Sequence, residues 1–149
     1  MENLFNQKDY DAILLRFDSI TSLSENNWGK MEINQMIVHV KFQLDIALGN
    51  KAAKAQGPIF LRSLIGKWLA LYIIPWGKGE HTPNEMDALK NGTVITDFDS
   101  DKHLLICRME EFLSASSFSP HPFFGGLNKK DWGRLTWKHL NHHLLQFGA

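Results

Sequence analysis

Three histidines fall within one closing stretch, Trp132-Gly-Arg-Leu-Thr-Trp-Lys-His-Leu-Asn-His-His-Leu-Leu-Gln-Phe147, and neutral imidazole is a ready ligand for divalent transition metals. Read as a helix turning about 100° per residue, the stretch sets His139 and His143 about 40° apart, so their rings can reach a common ion. Trp132, Leu135 and Gln146 share that stripe, while His142 lies on its edge, about 60° from His139. The expected ligand pair is therefore His139 and His143, with His142 beside it.

Spacing alone is weak, because seven histidines in 149 residues yield about 0.3 such pairs by chance. A third donor is what would make a site. His39 is the best candidate, in the segment Ile33-Asn-Gln-Met-Ile-Val-His-Val-Lys-Phe-Gln-Leu-Asp-Ile-Ala-Leu48, where Ile33, Met36, Ile37, Val40, Leu44 and Ala47 follow helical spacing and His39 sits at the rim of the apolar face. Three imidazoles leave a coordination position for water or substrate; zinc or nickel is the expected ion, since imidazole suits both. The competing reading of the residues alone is a rim histidine on one helix and two unrelated histidines on another.

The elements that must position these residues read as helices. Tyr10, Ile13, Leu14 and Phe17 mark a first helix from about Lys8 to Ser19, and the His39 helix ends near Gly49-Asn50, a left-handed cap and turn. Gly57-Pro58 opens a strongly apolar third helix that Pro75 closes. Arg62 and Lys67 interrupt it, which argues against a membrane span. Its Arg62, Ser63, Gly66, Lys67 and Ala70 fall on one arc, leaving Phe60, Leu61, Leu64, Ile65, Trp68, Leu69 and Tyr72 for burial in the core or in a subunit contact, as in a homodimer. Trp76 to Pro83 is loop chemistry and Thr93 to Thr96 a short extended piece. Acidic residues from Asp97 to Asp101 cap a further helix to Ser114, with Leu105, Met109 and Phe112 inward. The same run fails as a calcium loop, with Lys102 where glycine is needed and Arg108 where a carboxylate belongs. The last helix begins after Asn128, with Asn128 and Asp131 set like a capping box.

The expectation is an all-α fold: one domain over residues 1–149, four long amphipathic helices and one additional apolar helix between the second and third of them. Sixteen basic and sixteen acidic residues cancel, so the whole-chain balance predicts neither a nucleic-acid partner nor a membrane partner. The start of the chain shows no basic region followed by an apolar stretch, so a cytoplasmic location is expected. Asn91-Gly-Thr93 then reads as a turn, not a glycosylation acceptor, and the single cysteine, Cys107, as a small core residue.

Two stretches, Trp28-Gly-Lys-Met-Glu-Ile-Asn-Gln-Met-Ile-Val-His39 and His139-Leu-Asn-His-His143-Leu-Leu-Gln146, resemble the DinB/YfiT-like superfamily of metal-binding helical bundles. The stretch from His121-Pro-Phe-Phe-Gly-Gly-Leu to Trp132 is similar to an uncharacterised branch of it. The resemblance implies a DinB-like four-helix bundle, with His39, His139 and His143 as ligands to a divalent metal. It also implies metal-dependent transfer of a low-molecular-weight thiol as the leading activity on a small-molecule substrate. Metal-dependent hydrolysis, and a non-catalytic bundle with a structural metal or none acting as a binding module, are the alternatives.

No catalytic base is identified: Asp45 lies about 120° around the helix from His39. Gln146 is placed to orient a ligand or to be a polar residue near the helix end, and His121 to line the pocket from a loop or to pack on its aromatic neighbours. Trp28, Trp132 and Trp137 are wall or core. His81 and His103 read as surface residues.

Overall fold

The computed structural model describes residues 1–78, 87, 90 and 92–149. Its α-helices are α1 (Gln7–Ser19), α2 (Ile33–Ala47), α3 (Leu64–Trp68), α4 (Phe98–Ser114) and α5 (Lys129–Gln146). No strand forms among the described residues, where an isolated bridge joins His121 and Gly125. The all-helical expectation holds. The helices α2 and α4 pack together, and α5 packs on both α1 and α2.

Local chemistry accounts for the helix ends. Asn6, Asp97 and Asn128 each accept a backbone N–H in the first turn of α1, α4 and α5, which satisfies one of the donors a helix start leaves open. Glu32 and Gln35 form a reciprocal capping box on α2. Beyond α2, Gly49 takes φ +81°, and the N–H groups of Asn50 and Lys51 return to the Asp45 carbonyl, which turns the chain away. Ile13, Phe17, Met36, Ile37, Val40, Leu44, Leu105, Met109, Phe112 and Trp132 are fully buried in one core cluster. An N-terminal strap closes the base: Leu4 is fully buried, its N–H donates to the Gly133 carbonyl at 3.1 Å, and Arg134 donates to the Glu2 carbonyl.

Three expectations are corrected. The third apolar helix is not continuous: a 3-10 turn (Ile59–Arg62), the short α3 and a π turn (Leu69–Ile73) replace it. Its facing is inverted as well. Gly66 is buried against the backbone of Phe60, and Arg62 and Lys67 donate to the carbonyls of Pro122 and Gly126, so the arc read as solvent-facing lies against the body. Of the seven residues assigned to burial, Phe60, Leu64, Ile65 and Trp68 are exposed. Second, Cys107 is exposed on α4, with its sulfur 3.6 Å from Nε2 of the exposed His103. Third, Thr93 to Thr96 forms no strand; Thr96 instead binds the Asp101 carboxylate through both its N–H and its hydroxyl. His81 and Asn91 lie outside the described residues.

Pro75 ends the π turn. A five-residue hydrogen bond from Ile74 N–H to the Leu69 carbonyl is the last the turn can make, because Pro75 has no N–H to offer Ala70. Lys138 of α5 donates to the carbonyls of Ala70 and Ile74, and Arg134 of α5 to that of Leu71. The helix that carries His139 and His143 thus satisfies the frayed end of this segment.

Candidate metal centre

His39 on α2 and His139 and His143 on α5 converge, with one donor atom from each lying within 4.8 Å of the others. Nε2 of His139 is 2.9 Å from Nε2 of His39 and 3.1 Å from Nε2 of His143. His139 and His143 are buried and His39 is partly buried. The helical stripe read from sequence is therefore the real one. His142, partly buried, stands outside the cluster, with its ring 6.0 Å from that of Trp28 and 5.9 Å from that of Trp76.

The rings are held from behind. Nδ1–H of His139 donates to Oε1 of Gln43 at 2.8 Å, and Nδ1–H of His143 donates to Oε1 of Gln146 at 2.8 Å. The amide of Gln146 donates in turn to the Trp28 carbonyl at 2.8 Å, which fixes which end of that amide faces the imidazole. A ring that gives its Nδ1 proton to a carbonyl carries a lone pair on Nε2. Two such lone pairs, on His139 and His143, face each other at 3.1 Å with no proton between them.

A cation that accepts both pairs would relieve the repulsion between them, as would an Nε2–H donated by His39, whose Nε2 lies 2.9 Å from that of His139. Ligand nitrogens about 2.0–2.1 Å from a tetrahedral ion lie about 3.3 Å apart, close to the separations here. Second-partner hydrogen bonds from carbonyl oxygens are also what metal-bound imidazoles normally have. The donor set thus fits a metal ion, with the neutral forms its ligands need. Burial lowers the pKa of His39 to about 4, partly countered by Asp87, and that of His143 to about 3, aided by His39 and partly countered by the Gln146 bond. His139 is pushed down further by burial and by His143 and His39.

The remaining predicted residues are placed as follows. Gln146 is buried and bonded to His143 on one side and to the Trp28 carbonyl on the other. His121 is buried at the His121-Gly125 turn, where its Nδ1 accepts the N–H groups of Phe123 and Phe124 and its ring lies against Phe124 and Trp132. Burial lowers its pKa to about 3. Trp132 is fully buried and packs on Phe112, Phe118 and His121, so it is core. Trp137 is partly buried and lies under the Arg134 guanidinium. Asp45 is held by Lys41 at 2.9 Å and by Arg108 at 2.7 Å, which occupies it structurally.

Gln43 and Trp76 were missed. Gln43 sits one turn after His39, so the angular argument that selected Gln146 was available for it too. Trp76 follows Pro75, and its ring lies 5.7 Å from His139, a position that only the tertiary fold creates.

Fold and site together define an all-helical protein with a three-histidine cluster between two helices. The chain belongs to a family described as "Protein of unknown function (DUF1569)", whose model matches residues 4–149. No match is found among curated proteins or among solved structures. No helix among the described residues is long and apolar enough to cross a membrane.

Proposed function

We propose that the chain is a divalent-metal-dependent enzyme of DinB-like architecture, of thiol S-transferase type, with His39, His139 and His143 as the ligands of a zinc or nickel ion. The observation that carries this reading is the pair of Nε2 lone pairs facing each other at 3.1 Å, each fixed by a glutamine behind its ring. An ion held by three imidazoles keeps its double charge and an open position, so it would acidify a small thiol or a water reaching it.

The chain's own residues supply the rest. Gln43 and Gln146 keep the rings in the tautomer that presents Nε2. Burial keeps the imidazoles unprotonated near neutral pH. Trp28 and Trp76, which flank His142, offer aromatic walls to a small-molecule substrate beside the cluster. Of the carboxylates on the ligand helices, Asp45 is committed to two cations and Asp131 accepts from the Tyr72 hydroxyl about two turns before His139; this favours a nucleophile such as a thiol, which loses its proton more readily than water.

The test uses the metal-loaded protein and its His39→Ala variant with a panel of cellular thiols and electrophilic acceptors, and a second panel of esters and amides. Thiol transfer by the wild type, lost in the variant, is the expected result. Ester or amide turnover without thiol transfer would assign hydrolysis instead. Equal background rates for both proteins across both panels would leave the cluster as a structural metal site in a binding module.

A further inference from the structure

Among the described residues, seven of the thirteen exposed large hydrophobic residues lie within sixteen positions: Ile59, Phe60, Leu64, Ile65, Trp68, Ile73 and Ile74. Leu64 is 86% exposed, Ile59 85% and Ile65 67%, so these side chains stand out in water, which a monomeric soluble surface rarely does in one contiguous stretch. The segment is also charged in one sense. From Lys51 to Lys78 the sequence holds five basic residues (Lys51, Lys54, Arg62, Lys67 and Lys78) and no acidic one, which leaves a net −5 on the remainder of a chain that is neutral overall. Among the described residues none of the five is in an ion pair; Arg62 and Lys67 bind neutral carbonyls, and Lys78 lies over the Trp28 ring. The neutral average read from composition conceals this separation.

Exposed aliphatic chains with a tryptophan, on a broken helical segment carrying only positive charge, are the chemistry of peripheral binding at an anionic lipid surface. We propose that residues 51–78 dock the protein on an anionic bilayer, with Ile59, Leu64, Ile65 and Trp68 entering the headgroup region and the exposed Lys51, Lys54 and Lys78 drawing the segment to the lipid phosphates. A second copy fits this face less well, because a two-fold contact places the same segment against itself and sets like charge against like, with three exposed cations from each copy. The opposite charge on the rest of the chain turns that part away from the same surface. The segment is bound to α5 through the carbonyls of Ala70, Leu71 and Ile74, so docking would set the orientation of the histidine cluster to the bilayer.

Co-sedimentation of the full chain with vesicles tests this. The wild type is expected to sediment with vesicles of phosphatidylcholine and phosphatidylglycerol, weakly with phosphatidylcholine alone, and less as salt rises. Lys51→Gln with Lys54→Gln should weaken the partition about thirtyfold. Leu64→Asp with Ile65→Asp should abolish it while far-ultraviolet circular dichroism stays unchanged, since both positions are exposed. Failure of the wild type to bind acidic vesicles overturns the proposal. So does binding by the folded Leu64→Asp, Ile65→Asp protein equal to that of the wild type, or a dimer in sedimentation equilibrium that Leu64→Asp dissolves without any lipid binding.

Discussion

Gln43 and His139 face each other across two helices, α2 and α5, joined by a 2.8 Å hydrogen bond that gives the imidazole its Nδ1–H tautomer. The same helix pair supplies His39 and His143, so the cluster and its support share one interface. Replacing Gln43 by Ala removes the acceptor and frees the ring, and Gln146→Ala does the same for His143. Each change is expected to weaken retention of zinc by about tenfold to a hundredfold, read by competition with a chromophoric chelator. Retention equal to that of the wild type in both variants would show that the glutamines do not position the ligands.

Adjacent histidines should behave differently. His143→Ala is expected to lose most of the metal affinity, whereas His142→Ala should lose little, because only Nε2 of His143 points at Nε2 of His139. Elemental analysis after exposure to a slight excess of zinc or nickel should give about one ion per wild-type chain. A damaging His142→Ala and a silent His143→Ala would mean that the ligand pair is His139 and His142.

Acid should destabilise the metal-free protein in a defined window. His121 takes up its proton near pH 3 when folded and near the ordinary imidazole value when unfolded, so between those values the unfolded chain binds more protons. Its contribution is complete above about pH 6.5 and is lost as pH falls toward 3, at up to about 1.4 kcal/mol per pH unit. His121→Asn keeps an acceptor for the Phe123 and Phe124 N–H groups but cannot titrate. Urea melts of the two proteins between pH 7 and pH 4 should therefore diverge, with the flatter dependence in the variant; parallel curves would rule out a buried neutral His121.

The N-terminal strap makes Gly133 sensitive. A Cβ at that position would lie 2.1 Å from Oδ1 of Asn3 and 2.4 Å from the Phe5 ring. Gly133→Ala is expected to cost about 1–3 kcal/mol in a chemical melt, even though alanine favours the helix. A neutral or stabilised variant would show that the strap yields without loss.

Much of the site was legible because helical periodicity converts sequence spacing into angle. His139 and His143 share a stripe at any register of α5, and the capping residues Asn128 and Asp97 mark where their helices begin. The segment from Pro58 to Pro75 was misread because periodicity gives an apolar face without saying what that face meets. There, Gly66 permits a close backbone approach on the opposite side, and two cations bind carbonyls of the 122–126 loop. Cys107 was legible by the same arithmetic: with Leu105, Met109 and Phe112 on the inward stripe, it falls about 140–160° away around the helix, on the outer face where it is exposed.

Pro75 leaves the Ala70 carbonyl without a backbone donor, and the side chain that answers is Lys138, the neighbour of His139. This makes the exposed segment and the ligand helix thermodynamic partners. A molecule that binds residues 69–74 and shifts α5 through these hydrogen bonds would shift the histidines with it. Linkage is reciprocal: an ion bound at the cluster would alter affinity at the distant face by the same factor by which occupancy of that face alters affinity for the ion.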